Sequence, residues 1–125
     1  MRSNDVKYML LIYGNEEIFG AFPEEVFAEV VRETNALQQE LRESGEFIGA
    51  WGVADQVNAK RVQLKDGAPV VTDGPYLEAK EYLGSFDIID CETEERALEI
   101  AARVPWARYG TVEVRPLMHE AAAEA

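Results

Sequence analysis

The chain has 125 residues, 47% of them hydrophobic and 29% charged, and 24 acidic residues against 12 basic ones leave a net charge of −12. That length and apolar content fit one folded domain and exclude a chain disordered throughout. So acidic a surface excludes nucleic acid and anionic membrane as partners, because both require a basic face.

Val6 to Tyr13 (VKYMLLIY) reads as a strand apolar on both faces, ended by Gly14-Asn15. Pro23 opens a helix at its first-turn position, with Glu24 and Glu25 at the positive end of the helix dipole and Phe22 where a capping residue would be expected. Val26, Val30, Leu37 and Leu41, joined by Phe27 and Val31, form its apolar stripe, and Ser44-Gly45 stops it. Phe47 to Val53 is a second strand, weakened or bulged by its two glycines. Lys60 to Lys65 alternates polar and apolar residues, Asp66-Gly67 is a hairpin turn, and Pro69 to Thr72 is the return strand. After the Asp73-Gly74-Pro75 loop, Tyr82 to Asp90 is another strand, with Phe86 and Ile88 on one face and Leu83 and Ile89 on the other. Thr93 caps a second helix with Ala97, Leu98, Ala101 and Val104 as its stripe, and Pro105 ends it. Thr111 to Leu117 is the last strand; residues 119–125 are an Ala/Glu-rich tail after a single domain over residues 1–118.

The order β-α-β, hairpin, β-α-β predicts an α+β fold, a ferredoxin-like split βαβ sheet with both helices on one face. Two helices leave the other face of the sheet open, yet the first strand offers Met9, Leu11 and Tyr13 there as readily as it offers Tyr8, Leu10 and Ile12 to the helices. An apolar patch of that size calls for a cover, and a second copy related by a two-fold axis is the simplest one. A homodimer is therefore expected, with a cleft between or beside the sheets.

Cys91 and His119 are the only residues of their types, which excludes an internal disulfide and a conventional zinc site within the chain. Cys91 is expected as a small buried residue and His119 as part of the solvated tail. No apolar run is long enough to span a bilayer, the run Tyr8 to Tyr13 follows Asp5 and does not fit a signal sequence, and the expected compartment is the cytoplasm. No GxGxxG or phosphate-binding loop occurs, and no cofactor is expected.

Three blocks carry a resemblance. Lys7-Tyr8-Met9-Leu10-Leu11-Ile12-Tyr13 at the start, Thr72-Asp73-Gly74-Pro75-Tyr76 with Glu78, Lys80-Glu81 and Leu83-Gly84 in the middle, and Ala101-Ala102-Arg103, Pro105 and Glu113-Val114-Arg115-Pro116 at the close resemble the YCII-related, DGPF-domain proteins. The resemblance covers about Val6 to Leu117, with Tyr76 where the family name implies phenylalanine. It implies pairing as a dimeric α+β barrel. It assigns no activity to most members. The His-Asp pair of some wider relatives, linked to breakdown of aromatic compounds, is not carried over, because the chain has no histidine before His119. Company with bacterial extracytoplasmic-function sigma factors implies a regulatory setting.

The loop from Thr72 to Glu81 is the candidate site. Asp73 reads both as a turn residue bonding nearby backbone N–H groups and as a general base at the rim of a cleft. Glu78 and Glu81 share a face if Leu77 to Tyr82 forms a helical turn, with Lys80 between them; an exposed, weakly ion-paired turn is the plainer reading. Tyr76 adds a ring and a hydroxyl. Arg115, opposite in facing to Val114, would join Lys80 to hold a carboxylate, or would pair with the chain's own Glu113. Trp51, Tyr8, Tyr13 and Trp106 would line a pocket or serve in packing. Three functions fit these residues: binding of a small aromatic or carboxylated molecule in the dimer cleft, a cofactor-free lyase or isomerase with Asp73 as acid or base, and a non-catalytic partner in a sigma-factor-linked system.

Overall fold

In a computed structural model, which describes residues 6–20, 22–75 and 80–121, the apolar alternation of the sequence becomes a four-stranded antiparallel sheet. Its strands are β1 (Val6–Gly14), β2 (Phe47–Gly52), β5 (Tyr82–Cys91) and β6 (Thr111–Pro116), in the order β2-β5-β1-β6. Helices α2 (Glu24–Ser44) and α3 (Glu94–Arg103) link the strands in ferredoxin-like fashion. Leu37 and Leu41 of α2 and Ala97, Ile100 and Ala101 of α3 pack on Tyr8, Leu10, Ile12, Ile89 and Cys91, which places the core on one face of the sheet. A separate two-stranded ribbon, β3 (Lys60–Lys65) and β4 (Ala68–Asp73), turns at Asp66 and Gly67, whose φ values of 52° and 79° are those of a hairpin turn.

The ends of the helices follow their sequence signals. Gly45 takes the left-handed φ of 81° that a side chain disfavours, and its N–H and that of Glu46 reach back to the carbonyls of Arg42 and Leu41. Thr93 caps α3 by accepting from Arg96 N at 3.1 Å. Gly110 is fixed by space: a Cβ there would lie 2.2 Å from the carbonyl oxygen of Tyr13, so only glycine lets the start of β6 cross β1.

Three expectations are corrected and one element is added. Pro23 is the N-cap rather than the first helical residue, because its carbonyl accepts from Val26 and Phe27 while its ψ of 148° stays extended. A short helix, α1 (Glu16–Gly20), follows β1; Asn15 starts it by accepting from Ile18 N at 2.9 Å, a capping signal followed by too few residues to show periodicity. The stripe of α3 is Ala97, Ile100, Ala101 and Val104, while Leu98 is 51% exposed; the i, i+3, i+4, i+7 spacing selects Ile100. Leu83 does not share the face of Ile89, because an irregularity after Ile12 slips the register and sets Leu83 opposite Tyr13.

Cys91 is fully buried, as expected of a small core residue. Among the described residues no helix is long and apolar enough to cross a membrane.

Candidate functional site

Residues opposite one another in an antiparallel pair share a face, so the register fixes what each strand presents. Asp87 on β5 lies opposite Leu10 of β1 and Ala50 of β2, on the side that the helices cover. A carboxylate there has apolar neighbours on both flanks. α2 crosses above it with Thr34, Leu37, Gln38 and Leu41, and Ile100, Val104 and Trp106 close the end. Between these walls is a cavity of about 210 Å³, lined also by Ile12, Ala50 and Ser85. Burial pushes the Asp87 carboxyl up from 3.8 to about 6, since removal from water disfavours the charged form. Among the described residues no other ionisable side chain lines this cavity. Thr34 Oγ1, on the α2 wall, is buried with no hydrogen-bond partner among the described residues. Such a group marks a place where a ligand or water is expected to supply the bond.

A second, more open cavity of about 350 Å³ adjoins the first, with Ser85 and Trp106 in the walls of both. It is lined by Val53, Ala54, Asp55, Tyr82, Leu83 and Gly84. Burial raises the Tyr82 hydroxyl above its ordinary value, and the nearby negative charges of Asp55 and Glu16 add to the rise. Trp106 stands in the 3-10 turn after α3 and is held by stacking on Phe22, ring centres 5.5 Å apart. The arrangement is an apolar pocket with a few convergent polar groups and one perturbed acid, the usual anatomy of a small-molecule site.

The charged residues singled out from sequence that lie among the described residues are not in the walls of either cavity. Asp73 ends β4, its side chain is 83% exposed, and it pairs with Lys60. It lines neither cavity. Lys80 is exposed and Glu81 half-buried just before β5. Tyr76 and Glu78 lie outside the described residues. Arg115 faces away from the helices, opposite Met9, with its Nε 3.5 Å from Glu113 Oε1. Arg103 and Arg108 pair with Glu40 and Glu33 of α2. Of the four aromatics, Trp106 contributes to the first cavity, Trp51 borders it from β2 while its ring stacks on Phe86 of the open face, Tyr8 is core, and Tyr13 points to the open face. The candidate residue that sequence reasoning passed over is Asp87. Its signal was available: in Ser85-Phe86-Asp87-Ile88-Ile89 it alternates with Ile89, so a charge falls on the buried face of a strand.

A family model described as the YCII-related domain matches residues 6–121. An uncharacterized protein of Rhizobium meliloti (strain 1021) is 32% identical over 112 residues, a match that covers 88% of this chain and 90% of the relative.

Proposed function

The chain belongs to the YCII-related domain family, and from that premise we propose that it acts as a homodimer that binds a small aromatic molecule in the cavity between α2 and the sheet. The observation that carries the binding site is Asp87: a carboxyl on a central strand, raised by burial to about 6, in a mainly apolar hollow whose other polar side chains are Thr34, Gln38 and Ser85. A fold gains nothing from an acid in that place, so its use is sought in a ligand. The volume suits the ligand class. A dry cavity of about 150 Å³ accepts benzene, so about 210 Å³ takes one ring with a short substituent.

The dimer is supported by the other face of the sheet. Met9, Leu11, Phe86 and Ile88 lie side by side there, half-buried, and Trp51 stacks on Phe86 with ring centres 5.4 Å apart while remaining 47% exposed. Both long helices pack on the opposite face. The ribbon adds a second uncovered apolar side, with Val62, Leu64 and Val71 at 64%, 74% and 62% exposure. Two strands alone have little stability in water, so this ribbon is expected to rest on a partner. In sedimentation at micromolar concentration the protein is expected to run as a dimer, and Leu11→Glu as a monomer; in the same preparation a benzene-ring fragment panel should raise the melting temperature of wild type but not of Ala50→Trp, which fills the cavity. A wild-type monomer rejects the assembly, and an unchanged melting temperature with every fragment rejects the site.

A second reading, proton transfer on the bound molecule, is supported by the same carboxyl, because an acid near pH 6 works as base and acid at neutral pH. It moves the catalytic role from Asp73 to Asp87, since Asp73 is solvated and ion-paired. Exchange of ligand C–H for deuterium in heavy water, present in wild type and lost in Asp87→Asn, is the expected sign; exchange unaffected by that change removes the reading.

A further inference from the structure

We infer that the cavity at Asp87 selects a ligand with a protonated amine and an apolar ring, and rejects carboxylates. This deepens the proposed binding site and rests on that reading. Among the described residues the walls carry one group able to bear charge, and it is acidic; no lysine, arginine or histidine lines the cavity from β1, β2, β5, α2, α3 or the turn after α3. An anionic ligand would therefore enter with no counter-charge, beside a carboxylate that already resists ionisation there. A buried charge without a partner is among the most expensive arrangements a protein can hold. An ammonium group reverses the balance. It gives the half-buried Asp87 carboxylate the counter-ion that the walls withhold, and a charge-assisted hydrogen bond is stronger there than one between neutral groups.

The remaining polar groups fit the same guest. An ammonium carries three donors. Asp87 takes one; the side chains of Thr34, Ser85 and Gln38, all in the walls, offer oxygen acceptors for the others. Thr34 Oγ1 lacks any protein partner among the described residues, so it has a bond to give. Ile12, Leu37, Ile100 and Val104 supply the apolar contact for a ring. The surroundings favour a cation before it arrives: the chain carries −12 overall, and Asp55 stands in the wall of the adjoining cavity.

Three probes of one shape separate charge from shape: benzylamine, benzyl alcohol and benzoate. Each is titrated calorimetrically at pH 7.5 into the full chain, and amide shifts at Ser85 and Asp87 show where it binds. Benzylamine is expected to bind at least tenfold more tightly than benzyl alcohol, and benzoate more weakly than either. Asp87→Asn should remove the amine's advantage over benzyl alcohol, and its urea melt at pH 4 should match that of the wild type, which shows the variant folded. Lowering the pH from 7 to 5 protonates the carboxyl and should weaken benzylamine roughly tenfold. Benzoate binding as tightly as benzylamine, or an amine advantage that survives in Asp87→Asn, overturns the ligand class while the cavity stands. Silence from all three probes overturns the binding site, and the class falls with it.

Discussion

Asp87→Asn will stabilise the protein by about 3 kcal/mol at pH 8 and change it little at pH 4. The carboxyl titrates near 3.8 in an unfolded chain and at about 6 in the folded one, pushed there by burial. Between those two values the native state holds the proton more firmly than the unfolded state does. Stability contributed by this group is therefore greatest below pH 3.8 and falls as the pH rises to about 6. Above that, the loss is constant. At about 1.4 kcal/mol for each pH unit, the gap corresponds to about 3 kcal/mol. Asparagine keeps the shape and has no charge to bury. Urea melts of both proteins from pH 4 to 8 give the difference directly, and the other carboxylates cancel in the subtraction. A difference independent of pH would mean that the carboxyl is solvated, and would remove the ground for placing a site there.

Glu46→Ala is expected to destabilise by about 3 kcal/mol, equivalent to roughly 10 °C in melting temperature for a domain of this size. Glu46 follows Gly45 at the close of α2, and its side chain is only 7% exposed. Arg96 grips it with two bonds, Nε to Oε2 at 2.9 Å and Nη2 to Oε1 at 2.8 Å, and Ser44 Oγ donates to Oε1 at 2.7 Å. The carboxylate raises the Arg96 guanidinium above its ordinary range. The pair ties the entry to β2 to the first turn of α3, and the Glu46 carbonyl also accepts from Asp90 N at 2.8 Å. Removing the acid leaves a partly buried guanidinium whose remaining ion-pair partner among the described residues is the exposed Glu99, at 3.1 Å. Arg96→Ala should do at least as much harm, because the acid it strands is the more deeply buried of the two. Thermal melts of the two variants and of the double change test the coupling. Additive losses would show that the pair contributes nothing as a pair.

Much of the fold was legible because its punctuation is chemical. Gly45, Thr93, Pro105 and the Asp66-Gly67 turn each do what their residue type favours, and between them the apolar spacing leaves one choice of element. What escaped depends on register or phase. The slip after Ile12 that turns Leu83 over is set by pairing with a strand seventy residues away, and no local pattern announces it. α1 is too short to have a period. The candidate site was less legible, for a different reason. A loop dense in charge attracts notice, but charge density does not say whether a side chain meets a cavity or open water, and Asp73 meets water. Asp87 sits inside an apolar strand, where a single acid reads as an interruption. Its meaning depends on what crosses above it, and α2 comes from fifty residues earlier in the chain.

The way Asp87 is mounted limits how such a protein can change its preferences. Its strand is bonded on one side to β1 and on the other to β2, so the acid is anchored where the backbone has least freedom to shift. The facing residues of α2 have no such constraint: Thr34 and Gln38 are side chains on a helix surface, replaceable without disturbing a ladder. Descendants of this chain would acquire new guests by altering the ceiling and keeping the post.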